Sequence, residues 1–168
     1  MDAGVTTTLT AFTAQHSLGL TRFAYVLTGD RQLAEDLVQD CLLALHRRFG
    51  ETLPIEAPVA YARRVIANGQ ASRMRRRASL ETVVDAFPDI GVEGTDLSEQ
   101  DAAWRMLATL PDRQRAVLVL RYYLDLPDEE IARTLDCRVG TVRSLAARAF
   151  AALRQHPLLA ADVEESQS

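Results

Sequence analysis

The sequence predicts an all-α protein: two small helical domains joined by an acidic linker. Three observations carry that expectation. Apolar residues recur at helical spacing on both sides of the middle of the 168-residue chain. Charge is segregated, with arginine concentrated between Val59 and Leu80 and acid between Ala78 and Ala103. The stretch from Leu110 to Arg154 reads as two helices joined by a short turn and preceded by a supporting helix. The expected division is 1–80 for the N-terminal domain, 81–101 for the linker, 102–157 for the C-terminal domain and 158–168 for a tail.

In chain order, an apolar helix is expected from Ser17 to Leu27, ending at Thr28-Gly29-Asp30, where Asp30 can cap the next helix. That second helix spans Arg31 to Phe49, with Leu33, Leu37, Cys41, Leu45 and Phe49 every four residues and Gly50 as its stop. Asp36, Gln39, Asp40 and Arg47 fall away from this stripe. With an exposed Val38 they form an acidic patch that is either solvated or able to dock a basic partner helix. Gly50 to Pro58 is expected to be a loop. A third helix from about Val59 packs through Tyr61, Val65 and Ile66. Its Arg63, Arg64, Arg73, Arg75, Arg76 and Arg77 have no acid among them and suit phosphates, while Tyr61, Asn68, Gln70 and Ser72 offer stacking and hydrogen-bonding groups for exposed bases. A solvated basic face is the alternative.

The segment from Ala78 to Ala103 carries Glu81, Asp85, Asp89, Glu93, Asp96, Glu99 and Asp101 and no basic residue, with Pro88, Gly91 and Gly94 breaking periodicity. It reads as a disordered, solubilising tether, or as a nucleic-acid mimic that occupies a basic channel on a partner or masks the chain's own arginines.

Asp128 to Leu135 is a supporting helix with Ile131, Ala132 and Leu135 inward. Asp136 to Gly140 carries turn chemistry, with Gly140 expected to supply the backbone freedom of the bend. The second helix is expected from about Thr141. Val142, Leu145, Ala146, Ala149 and Leu153 share its packing half, and Thr141, Arg143, Ser144, Ala147 and Arg148 the other. A small, polar, arginine-bearing face on the second helix of such a pair is what major-groove reading needs. A helical hairpin with a solvated face is the plainer alternative, weakened because Arg138, Arg143, Arg148 and Arg154 lie in a run without acid.

The formal charge of −4 informs less than its distribution. All nineteen basic residues are arginine, which suits bidentate contacts to phosphates and bases. Cys41, in register with Leu37 and Leu45, is expected in the core, and Cys137 in the turn; two cysteines so far apart define no zinc site. His16, His46 and His156 are scattered, and no nucleophile set or phosphate loop accompanies them. No enzyme activity, metal or cofactor is therefore expected. Without a signal segment or a membrane-spanning apolar run, the expected location is the cytoplasm, with no membrane insertion.

Three segments in order resemble an extracytoplasmic-function sigma factor of bacterial RNA polymerase. LTGDRQLAEDLVQDCLLALHRRF resembles the polymerase-binding hairpin and PVAYARRVIANGQASRMRRR the minus-ten segment. LPDRQRAVLVLRYYLDLPDEEIARTLDCRVGTVRSLAARAFAALR resembles the minus-thirty-five helix-turn-helix, and AWRMLATLPDRQRAVLVLRYY an actinobacterial SigE-like branch. The resemblance implies core RNA polymerase and promoter DNA, both duplex and melted non-template strand, as partners. It implies polymerase contacts at Asp36, Leu37, Gln39 and Asp40, and minus-ten contacts at Tyr61, Arg63, Asn68, Arg73, Arg75, Arg76 and Arg77. It implies minus-thirty-five contacts at Arg138, Thr141, Arg143, Ser144 and Arg148. A flipped base would be captured near the third helix, and the acidic segment matches the one that threads toward the polymerase active site. Leu145 stands where many members carry Arg, and Ala147 where they carry His or Ser, so the recognition face is sparser. Pro127 replaces a common capping Ser. The short tail leaves control to an anti-sigma protein or to regulated synthesis. Two rival readings are a helix-turn-helix regulator that binds operators alone and a sigma-like interaction module without promoter activity.

Overall fold

The computed structural model describes residues 6–54, 56–80 and 99–157. The expected tail, 158–168, and residues 81–98 of the expected linker lie outside the described residues. The chain divides into two compact units, Met1–Arg76 and Arg77–Ser168. The all-α expectation holds apart from one minimal ribbon.

That ribbon pairs β1, Thr7–Thr8, with β2, Thr52–Leu53, antiparallel, in the stretch expected to be a plain loop. Its signal is too short for periodicity to register, because two residues define no alternation. Helix α1 runs from Leu9 to Thr28, eight residues earlier than the expected Ser17 start. Thr8 explains the difference: its side chain accepts a hydrogen bond from the Ala11 N–H at 3.1 Å, and the cap lies in a stretch with no apolar periodicity to announce it. Gly29 then closes the helix at φ 68°, its N–H donating to the Tyr25 carbonyl at 2.8 Å. Asp30 Oδ1 accepts from the Leu33 N–H at 2.9 Å and starts α2, Arg31–Phe49, as expected.

Helices α1 and α2 pack together over Phe12, Leu20, Phe23, Leu27, Ala34, Leu37, Cys41 and Leu45. Val38, expected outside, is buried with them. A spacing of four residues advances about 400°, so the series from Leu33 to Phe49 drifts around the helix and leaves its two ends half-buried. The stripe is centred on Ala34, Val38, Cys41 and Leu45 instead. Cys41 is 1% exposed, and burial pushes its thiol up to about 12. Helix α3, Pro58–Leu80, seats through Ala62, Ile66, Ala67 and Ala71.

The second unit contains α4, Glu99–Ala108, α5, Asp112–Tyr122, α6, Asp128–Leu135, and α7, Val139–Arg154. Helices α5 and α6 both pack on α7. Ile131, Ala132 and Leu135 of α6 meet Val142, Ala146 and Ala149 of α7 in the buried set, as the helical spacing predicts. Small alanines let the two helices approach closely.

The turn between α6 and α7 is tighter than expected. Asp136, not Gly140, takes the left-handed conformation, at φ 51°. The Cys137 N–H donates to the Ala132 carbonyl at 2.9 Å and closes α6. Asp tolerates that conformation because its short polar side chain can bond locally. Helix α7 therefore starts at Val139, two residues before the expected Thr141, and Gly140 is helical.

Candidate nucleic-acid interface

On α7 the exposed and buried sets divide as the helical wheel requires. Arg138, Thr141, Arg143, Ser144, Ala147 and Arg148 are exposed, while Val142, Ala146 and Ala149 are buried and Leu145 and Leu153 half-buried. The five candidate contact residues thus share one outward surface at the start of a 16-residue helix. Arg138 occupies the N-cap position without a side-chain hydrogen bond, so backbone N–H groups at this end are not capped by a side chain and suit a phosphate. Ser144 is committed in part: its Oγ donates to the Gly140 carbonyl at 3.0 Å. Arg143 Nε lies 3.5 Å from Asp128 Oδ2, the single ion pair of this outward face among the described residues.

The α3 candidates divide into two groups. Near the start of the helix, the Tyr61 ring meets Phe49 edge-on at 5.8 Å, and the Arg63 guanidinium lies over the Phe23 ring at 6.0 Å. Both are half-buried and tied to the hairpin. Asn68, Arg73, Arg75, Arg76 and Arg77 are exposed farther along, with Arg75 Nη2 donating to Ser72 Oγ at 3.1 Å. Gln70, expected to face bases, is instead 3% exposed, and its Oε1 has no hydrogen-bond partner among the described residues. It lies four residues after Ile66 and so shares its inward face.

On α2, Asp36, Gln39 and Asp40 are exposed, and Gln32 Nε2 donates to Asp36 Oδ1 at 3.2 Å. Leu37 is buried beneath them, where it supports the helix rather than presenting a surface.

Sequence reasoning missed the arginines that link elements within the second unit. Arg115, 1% exposed, donates from Nη2 to the Leu110 carbonyl and Asp112 Oδ1, both at 3.0 Å, and from Nε to the Leu107 carbonyl at 3.2 Å. Arg113 Nη2 reaches the Leu135 carbonyl at 3.3 Å. Arg121 gives Asp128 Oδ1 two hydrogen bonds, at 2.6 Å from Nη2 and 3.1 Å from Nε. Burial opposes the Arg121 charge, but the hydrogen bonds to Asp128 and Tyr122 outweigh it and raise its pKa. Among the described residues, no group of three or more His, Cys, Asp or Glu could hold a metal. No helix among them is long and apolar enough to cross a membrane.

Comparison with known proteins falls on these same segments. Residues 12–80 match the family Sigma-70 region 2, and residues 100–153 match Sigma-70, region 4. An RNA polymerase sigma-E factor of Streptomyces avermitilis is 34% identical over 81% of this chain and 77% of its own length. The ECF RNA polymerase sigma factor ShbA of Streptomyces griseus is 38% identical over 76% and 74%. Among solved structures, the sigma factor RpoE of Bartonella quintana, in complex with the anti-sigma factor NepR, is similar with a TM-score of 0.52. It shares 25% identity, with 86% of this chain and 95% of that chain covered. Two regional matches in order, and relatives at this identity over more than three quarters of the chain, show that it belongs to the extracytoplasmic-function sigma factors of bacterial RNA polymerase.

Proposed function

We propose that this sigma factor directs promoter-specific initiation through three surfaces, with the exposed face of α7 as the observation that carries the reading. Arg138, Thr141, Arg143, Ser144 and Arg148 all lie outward, opposite the buried Val142, Ala146 and Ala149, so one helix side packs and the other is open to a major groove. This face reads the minus-thirty-five element.

Asn68, Arg73, Arg75, Arg76 and Arg77 on α3 bind the minus-ten element and neutralise its phosphates. Tyr61 and Arg63, seated against Phe49 and Phe23, offer planar groups near the base that leaves the stack. Asp36, Gln39 and Asp40, with Leu37 supporting them from below, grip core polymerase. The sigma factor's role is not catalytic: bond formation belongs to the polymerase, and the work takes place in the cytoplasm. An anti-sigma protein is a partner to look for, since the solved relative was captured with one.

Run-off transcription with purified core polymerase on fragmented genomic DNA tests the reading. The expected result is discrete starts that depend on this protein and share two spaced motifs. Core binding without such starts supports an interaction module, and tight binding of duplex without polymerase supports a stand-alone regulator.

A further inference from the structure

Among the described residues, the three arginines of the recognition face do not stand alike. Arg138 and Arg148 make no ion pair, whereas Arg143 Nε faces Asp128 Oδ2 at 3.5 Å. Asp128 does not belong to the recognition helix. It opens α6, behind Pro127, where its charge also favours the helix N-terminus.

The Asp128 side chain is 23% exposed and is held from the other side by Arg121, whose two donors converge on Oδ1. One carboxylate oxygen is thus occupied by a part-buried contact to α5, and the other is offered to the helix assigned to DNA reading. A surface ion pair by itself contributes little, because both partners must be immobilised to form it. Here one partner is already immobilised. The Arg143 side chain approaches Asp128 through Nε yet remains 69% exposed, so its guanidinium is accessible to a base edge or phosphate.

We propose that Asp128 is a positioning residue for promoter recognition, pre-ordering Arg143 for the minus-thirty-five element while Arg121 keeps the carboxylate in place. This inference rests on the assignment of Arg143 to the duplex made above. Pre-ordering lowers the entropy that a long side chain loses on binding, and it limits the directions from which the guanidinium can approach a base. Pairing with two arginines also masks a carboxylate that would otherwise repel the phosphates beside it.

A binding cycle with intact holoenzyme tests it, using full-length Asp128→Asn, Arg143→Ala and the double variant. The probe is a duplex library randomised across the upstream element, with melting of each free protein recorded alongside. The expected result is that Asp128→Asn weakens binding by roughly three- to tenfold, the range for one ordered side chain. It should relax preference at the same base pairs as Arg143→Ala and add nothing in the Arg143→Ala background. Asp128→Glu, which keeps the charge, should recover part of the preference.

An Asp128→Asn effect that persists undiminished in the Arg143→Ala background overturns the proposal, since Asp128 would then act through the fold. So does unchanged or tighter binding by Asp128→Asn. If Arg143→Ala itself binds with native affinity and preference, the assignment of Arg143 to DNA fails, and the positioning role fails with it. A lower melting temperature common to Asp128→Asn and the double variant reports only the Arg121 contact and cannot imitate the base-pair signature.

Discussion

In the N-terminal unit, helices of 20 and 19 residues close over aromatic and aliphatic side chains and a thiol, whereas in the C-terminal unit four helices of 10, 11, 8 and 16 residues close over an aliphatic core that also holds the buried Arg115 guanidinium. Helix length explains the contrast. Short helices have more ends per residue, and each C-terminal end leaves carbonyls without an intrahelical donor. In the second unit such carbonyls at Leu107 and Leu135 are met by Arg115 and Arg113, and Arg115 also meets the Leu110 carbonyl in the connector between α4 and α5. The α3 arginines of the first unit follow the opposite rule: Arg73, Arg75 and Arg76 are all exposed. One residue type therefore serves as mortar in one unit and as a charged surface on the other unit's basic helix.

The largest expected effect tests the outward set. Replacing Arg73, Arg75, Arg76 and Arg77 together by alanine should lower holoenzyme affinity for promoter DNA by orders of magnitude at low salt. If each meets a phosphate, the slope of log affinity against log salt should flatten by about 3, at roughly 0.7 to 0.9 per contact. Thermal melting of the free protein should stay near native; a large fall would put these arginines in the structural class and break the contrast.

Next in size is Arg115→Met, which should cost about 1–3 kcal/mol by stranding the Leu107 and Leu110 carbonyls, while the part-exposed Asp112 keeps water and Arg77 as partners. Trp104, the chain's single tryptophan, lies in the same unit, so urea unfolding followed by its fluorescence reports the loss directly. A cost below about 1 kcal/mol would mean that the guanidinium is incidental to packing.

The buried thiol of the first unit gives a smaller, pH-dependent effect. Cys41 titrates near 9.0 when unfolded and at about 12 when folded, so its stabilising contribution is complete below pH 9. It is then lost as pH rises toward 12, at up to about 1.4 kcal/mol per pH unit. Helicity measured in denaturant at several alkaline pH values should show this decline in the native protein relative to Cys41→Ala. Parallel curves would exclude a buried, neutral thiol.

The smallest expected effects separate the two turns. Gly29→Ala should destabilise by about 1 kcal/mol, because the native φ of 68° is strained for alanine. Gly140→Ala should stabilise by roughly 0.4–1 kcal/mol, since that residue is helical and an added Cβ meets nothing within 4 Å. A destabilising Gly140→Ala would restore the turn role that the amino-acid pattern suggested for this glycine.

Much of the fold is legible in the amino-acid order because its signals are local. Asp30 and Gly50 bracket α2 as written, and the inward triplet of α6 lies where three- and four-residue spacing puts it. The outward face of α7 was equally readable. What could not be read depends on contacts distant in sequence or on phase. Val38 and Gln70 were misplaced because a polar or apolar label does not fix the angle of a residue around its helix. Asp136 took the bend from Gly140 because composition ranks glycine first without showing which residue the hydrogen-bonded turn selects. Arg115 and Arg121 were indistinguishable by type from the surface arginines, since their partners lie on neighbouring turns and helices.

The ribbon of β1 and β2 has a consequence for assembly of the first unit. Thr7 pairs with Leu53, Thr8 with Thr52, and the Leu9 N–H donates to the Glu51 carbonyl at 2.9 Å. The earliest described residues of the chain are thereby clasped to the connector that leads into the arginine helix, with Leu53 fully buried under the clasp. The start of the arginine helix is consequently tied to the opposite end of the domain's sequence, while the buried Ala62, Ile66, Ala67 and Ala71 hold its charged edge outward.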